Sequence, residues 1–166
     1  MTDFLSKEER SKRMSLIPSK DTQPELALRK ILHGLGLRYR LHSANLPGKP
    51  DLVFPRYKSV VFVHGCFWHR HVGCKIATIP KSNTSFWATK FEKNVARDAC
   101  VAAMLEDLGW RVFVVWECEL NSTVKAKAIG RKLAILINES ILGNPLCERK
   151  VDAILQAGSR EIQHVE

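Results

Sequence analysis

The 166-residue chain lacks several features, and each absence narrows its class. No apolar run approaches the roughly 18–20 residues of a membrane-crossing helix, so helical membrane spans are excluded. The opening residues, MTDFLSKEERSKRM, are charged throughout and hold no stretch of the kind that a secretory signal carries. The expectation is a soluble cytoplasmic protein with no membrane partner. Acidic residues are scarce: 17 Asp and Glu stand against 26 Lys and Arg, a formal net charge of +9. That excess favours a polyanionic partner, either nucleic acid or an acidic surface. Cysteines number 5, an odd count in a chain without an export signal, so a disulfide scaffold is excluded. Metal binding and plain burial stay open for each of them. There is no internal repeat and no low-complexity segment. Hydrophobic residues make up 45% of the chain, enough for the core of one compact domain.

The chain divides into three stretches. Residues 1–20 are rich in charge and poor in apolar periodicity, and read as an arm with room for one short helix. Residues 21–142 carry the periodic patterns of a domain. Residues 143–166 read as a weakly amphipathic tail. Within the domain, Thr22 caps a helix, Pro24 suits its first turn, and Glu25 lies three residues past the cap. A capping role explains Glu25 by itself. Leu28, Ile31, Leu32 and Leu35 form that helix's apolar face, and Gly34 and Gly36 end it. Short strands follow at 39–41 and 51–54, separated by the turn Pro47-Gly48-Lys49-Pro50. The stretch SVVFVH over 59–64 is apolar on both faces, as a central strand should be. A long helix is predicted over 85–108, with Phe91, Val95, Asp98, Ala102 and Leu105 on one face. A second buried strand follows at 111–116, and a last helix at 122–142. The order predicts an α/β fold, a central mixed sheet flanked by helices.

The densest chemistry lies in FVHGCFWHRHVGC, residues 62–74. Cys66, His71 and Cys74 have spacing compatible with zinc, and Cys118 would approach them if its strand neighboured the 59–64 strand. Cys3His is a closed tetrahedral donor set. The alternative is a group of buried thiols beside an incidental histidine. Cys100, in the long helix, and Cys147, in the tail, read as non-ligands. Asp51 opens a strand, as in nucleases that hold Mg2+ through hard oxygen donors. A plain turn aspartate is the alternative. The common Glu-x-Lys on the next strand is missing, and imidazole would have to take the role of base. Asp98 lies on an apolar helix face, which is costly without a partner. A histidine, a metal-held water, or Lys93 and Arg97 would supply one.

Two pairs of adjacent aromatics stand out. Phe67 and Trp68 read either as wedges for base stacking or as a satellite core; Phe86, beside Trp87, reads as core. Arg10, Lys12, Arg13 and Lys20 read as phosphate contacts or as a solvated face.

At these residues the chain resembles the very short patch repair endonucleases, bacterial enzymes that nick DNA beside T·G mismatches arising from deamination of 5-methylcytosine. The likeness runs from about Ser11 to Leu120. It rests on RSKRM, LPGKPDLV, FVHGCFWHRHVGC, FW followed by KNVARD, and LGWRVFVVWECEL. The resemblance implies a restriction-endonuclease-like fold with a structural Zn2+ and a catalytic Mg2+. It implies Asp51 and the backbone carbonyl of Val63 as Mg2+ ligands, although members often have Thr at that second position. His69 and Asp98 match the essential pair, and His64 and Glu25 match accessory groups that position water. Cys66, His71, Cys74 and Cys118 match the zinc ligands. Phe67, Trp68 and Trp87 match aromatics inserted into the base stack, and Met14 an arm residue inserted from the other groove, with Lys12 and Arg13 beside it. Arg70 interrupts a histidine run common in members, and Val72-Gly73 lengthens the approach to Cys74. The implied enzyme is a monomeric DNA nickase acting at the nucleoid, functionally linked to a cytosine-5 DNA methyltransferase. Two rivals are a nuclease of the same fold with a restriction or defence target, and a non-catalytic zinc module that binds DNA.

Overall fold

A computed structural model describes residues 20–139 together with Glu9, Lys12, Leu16 and Pro18. Arg10, Arg13, Met14, Cys147 and the tail from residue 140 lie outside the described residues, as does the end of the helix predicted to reach 142. The elements are α1 (Gln23–Gly34), β1 (Arg40–Leu41), β2 (Leu52–Phe54), β3 (Ser59–His64), α2 (Thr84–Asp107), β4 (Arg111–Trp116) and α3 (Thr123–Asn138). Short 3-10 turns at Pro55–Tyr57 and Glu117–Glu119 follow β2 and β4. The four strands form one sheet in the order β1-β2-β3-β4. β1 and β3 each run antiparallel to β2, whereas β4 runs parallel to β3, from Ser59↔Arg111 to His64↔Trp116. The sheet is therefore mixed, and the crossover between its parallel strands is α2.

Alternation along β3 builds two cores. Val61 and Val63 face Leu28 and Leu32 of α1 and Leu133, Ala134 and Ile137 of α3. Val60 and Phe62 face Leu105 and Val101 of α2, with Trp110 and Val112. Each large apolar side chain withdrawn from water is worth about 1.5–3 kcal/mol, which is why a strand this apolar sits in the middle of three layers. Helices α1 and α3 approach closely at Gly130, where a Cβ would lie 2.4 Å from Ile31 Cγ2. Arg111, at the start of β4, donates to the carbonyls of Leu136 (2.9 Å) and Ile137 (2.8 Å) and to Ser59 Oγ (3.0 Å), binding the end of α3 to the sheet.

Three readings change. Tyr39 lies outside β1; its hydroxyl donates to the Arg29 carbonyl at 3.1 Å, tying it to α1. On α2, Val95 is exposed and Asn94 is buried in its place, its side-chain amide donating to the Trp68 carbonyl at 3.0 Å. Phe86 is not core: it is 61% exposed on the first turn of α2, edge-on to Trp87, while Phe91 takes the buried position. Among the described residues no helix is long and apolar enough to cross a membrane.

Candidate active site

The parallel pairing of β3 and β4 sets the first cluster. His64 and Trp116 are register partners, and Cys66 and Cys118 each lie two residues further along. The Cys66 N–H donates to Glu117 Oε1 at 2.9 Å, clipping the two chain ends together. The loop then folds on itself: the His71 N–H meets the Cys66 carbonyl (3.1 Å) and the Cys74 N–H meets the His71 carbonyl (3.2 Å). Gly73 supplies a left-handed residue (φ +72°) in that turn. One donor atom from each of Cys66, His71, Cys74 and Cys118 lies within 4.8 Å of all the others. His71 Nδ1 is 3.4 Å from both Cys66 Sγ and Cys118 Sγ. Tetrahedral zinc, with bonds of about 2.3 Å to sulfur and 2.0–2.1 Å to nitrogen, separates such donors by roughly 3.5 Å. The donor set and its size suit that ion. Without a cation, burial pushes the Cys66 thiol up to about 12 and raises that of Cys118. Cys74 lies below the usual thiol value, chiefly because the Ile76 N–H supports its thiolate.

A second cluster lies on the α2 side of the sheet tip. His69 Nδ1 and Asp98 Oδ2 are 2.5 Å apart. The His69 ring stacks on His64, with centroids 3.8 Å apart and planes 10° from parallel. Burial works to raise the Asp98 carboxyl, but the hydrogen bond and charge of His69, with Arg97 at 3.1 Å, hold it below the usual value. An ionised carboxylate only accepts, so Nδ1 of His69 carries a proton, and Nε2 offers a lone pair only in the uncharged form of the ring. Burial, and then the neighbouring His69, lower His64 to about 4, so His64 is neutral at neutral pH. These side chains line a cleft of about 370 Å³ with Phe62, Trp116 and Val101. A larger cavity of about 1080 Å³ between α1 and the start of α3 contains none of the three.

Asp51 belongs to a third group. Its Oδ2 accepts the Val63 N–H at 2.7 Å, and its Oδ1 faces His42 Nδ1 at 3.8 Å. Burial and the nearby charge of Glu25 raise its carboxyl, against the Val63 hydrogen bond. Glu25 is 3% exposed, and the expected capping box does not form: the Thr22 side chain makes no cap hydrogen bond to the helix backbone. Glu25 accepts from the Asp21 N–H (3.1 Å), the Thr22 hydroxyl (2.9 Å) and Arg29 (2.7 Å). Asp51 is thus set apart from the His64–His69–Asp98 group, and the two meet through the consecutive residues Val63 and His64. An oxygen donor with lone pairs to spare suits a hard cation such as Mg2+.

Beside the imidazoles lies a half-buried nest of rings. Phe67 is edge-on to Trp68 (5.1 Å), Trp87 (5.4 Å) and Phe91 (5.2 Å), and Arg70 sits over Phe91 at 4.4 Å. Lys12 is exposed.

Comparison with known proteins decides the family. The family model "DNA mismatch endonuclease Vsr" matches residues 2–75. The chain is 54% identical over 121 residues to the type II nicking enzyme V.XorIIP of Xanthomonas oryzae pv. oryzae, covering 73% of this chain and 88% of that one. It is 49% identical over 132 residues to the type II nicking enzyme V.NmeAIP of Neisseria meningitidis, covering 80% and 91%. It is 46% identical over 125 residues to the DNA mismatch endonuclease Vsr of Escherichia coli K12, covering 75% and 80%. The chain belongs to the Vsr family of DNA mismatch endonucleases.

It is accordingly a DNA endonuclease. Arg29, His42 and Trp116 escaped the sequence reading of the site. Arg29 stands four residues after Glu25, the spacing of a helical ion pair, and that was the available signal. His42 and Trp116 are single residues at strand ends, where no spacing rule acts.

Proposed function

We propose that this endonuclease nicks one strand of double-stranded DNA 5′ to the T of a T·G mismatch, with a catalytic Mg2+ and a structural Zn2+. The observation that carries the reading is the Asp98–His69–His64 stack at the tip of β3, one residue beyond the Val63 N–H that holds Asp51. A mismatch target is supported by the name of the E. coli relative, and nicking by the names of the other two. A T·G pair is what deamination of 5-methylcytosine leaves, which links the enzyme to a cytosine-5 DNA methyltransferase.

Asp51 and the Val63 carbonyl would hold Mg2+, which when bound would offset charge on the scissile phosphate and the departing oxygen. His69, with Nδ1 fixed on Asp98, offers Nε2 to take a proton from the attacking water. His64 stays neutral against it and keeps the ring from turning. Glu25 orients water beside Asp51. Cys66, His71, Cys74 and Cys118 would hold zinc and shape the loop that carries His69. The arrangement is read as a restriction-endonuclease-like core over 21–142 with an arm at 1–20, acting as a monomer.

Phe67, Trp68 and Trp87 are the proposed wedges, since stacking on a base is worth about 1–3 kcal/mol. A wobble pair resists unstacking less than a matched one, so distortion adds selectivity. Lys12, Arg13 and Met14 would act from the arm. Strand-resolved cleavage of T·G and matched duplexes with Mg2+ tests the reading. One nick, on the T strand of the mismatch alone, is expected. Equal cutting of matched DNA points to the rival restriction or defence nuclease, and binding without cutting to the zinc module.

A further inference from the structure

The buried guanidinium of Arg29 is unexplained by the proposed chemistry, yet it occupies the centre of a donor cluster. One donor atom each from Asp21, Glu25 and His42 lies within 4.8 Å of the others, the span of a metal's ligand shell. That space is not free. Arg29 Nη2 donates to Glu25 Oε2 at 2.7 Å and lies 3.0 Å from His42 Nε2, while Nη1 donates to Asp21 Oδ1. The Arg29 backbone is anchored as well, its carbonyl accepting from the Tyr39 hydroxyl at 3.1 Å. Asp21 (φ 54°) and His42 (φ 44°) both hold left-handed backbone, a conformation that non-glycine residues keep where their surroundings enforce it.

The contact with His42 fixes a proton. A guanidinium only donates, so His42 Nε2 must accept and is without a hydrogen. The ring proton is therefore on Nδ1, which faces Asp51 Oδ1 at 3.8 Å.

We propose that Arg29 is a positioning residue: its guanidinium serves as the resident cation of the Asp21–Glu25–His42 cluster, keeps divalent ions out of it, and holds His42 as the Nδ1–H tautomer turned toward Asp51. The proposal rests on Asp51 being the Mg2+ ligand of the proposed reaction. It assigns the acidic cluster to the support of that ligand rather than to a second ion.

The test counts Mn2+ bound to the full-length, zinc-loaded protein without DNA, by electron paramagnetic resonance. Arg29→Met is expected to bind one more Mn2+ per chain than the wild type, and adding Glu25→Gln should remove the gain. Arg29→Lys should keep the wild-type count. An unchanged count in folded Arg29→Met overturns the proposal. Glu25→Gln alone decides the matter if Arg29→Met does not fold: an unchanged count supports the proposal, and a lost ion overturns it. Long-range 1H–15N correlation on the His42 ring gives a second readout. A protonated Nδ1 with a bare Nε2 is expected, and the opposite tautomer overturns the assignment. Asp51→Asn separately tests the reading on which this rests. If the wild-type Mn2+ survives that change, Asp51 is not its ligand, whatever the Arg29 variants show.

Discussion

The indole of Trp116 lies flat against the imidazole of His71, 4.1 Å between centroids and 3° from parallel. Its edge meets His64 at 5.5 Å, and His64 stacks on His69. One side chain therefore joins the Cys/His cluster to the imidazole pair.

Replacing that link should disturb the chemistry more than the metal. Trp116→Leu is expected to slow nicking by about tenfold or more, because small misplacements of a reacting group carry large rate penalties. Zinc content should stay at the wild-type level, and Trp116→Phe should recover most of the rate. Single-turnover nicking with metal analysis reads both, and an unchanged rate in Trp116→Leu contradicts the linkage.

Asp51→Ala should lower single-turnover nicking of a T·G duplex on the order of 10³-fold, since removing a metal ligand forfeits several kcal/mol. His69→Ala should lose about 10²–10⁴-fold, the range of general base catalysis. Circular dichroism should show both variants folded. Full activity in either removes its assigned role.

Chelation should unfold the loop rather than slow chemistry alone. Three of the four donors, Cys66, His71 and Cys74, sit in one loop that only Cys118 ties to the end of β4, and a free Cys66 thiol buried among them gains no ionic partner. Cys66→Ser is expected to lose zinc and to melt at a lower temperature. A purified wild-type protein with no bound zinc would end this reading.

Burial of His64 makes stability depend on pH. Its folded value of about 4 lies below the ordinary 6.5, so the unfolded chain binds the proton more readily. Stability should therefore fall as pH drops below about 6.5, by roughly 2 kcal/mol at pH 5 from this group. Urea unfolding at pH 7 and pH 5 should show a smaller difference in His64→Gln than in the wild type. An identical difference contradicts the assignment.

Gly48 holds a left-handed turn (φ +70°), and a Cβ there would lie 2.3 Å from Val101 Cγ1 on α2. Gly48→Ala should cost about 1–3 kcal/mol through strain and overpacking. Because the turn leads into Asp51, activity should fall at temperatures where the fold still holds. A thermal melt paired with a nicking assay checks this.

The elements whose residues alternate or recur strongly were legible in the sequence. SVVFVH announced a central strand, and the stripe from Phe91 to Leu105 announced α2. Cys118 was placed near Cys66 from strand adjacency alone. Other features depend on contacts that no spacing encodes. Asn94 displaced Val95 from the interior because a carbonyl of the distant loop, that of Trp68, needed a donor. Phe86 read as core from its type, but a helix's first turn offered it no wall to lie against. Glu25 read as a capping residue from its spacing, but in the fold no capping box forms and Glu25 is buried against Arg29. Asp51 and His69 are neighbours of Val63 and His64 only once the sheet and loop have closed.

The pairing of β3 with β4 has one more consequence. Cys66 and Cys118 leave adjacent parallel strands at equal distances past His64 and Trp116. A slip of one residue would turn Trp116 to the opposite face and shift Cys118 by about 3.3 Å along the sheet. The four soft donors would then no longer converge. Capture of an ion at that corner would thus proofread strand alignment, sealing the correct ladder and leaving any misaligned one open to refolding.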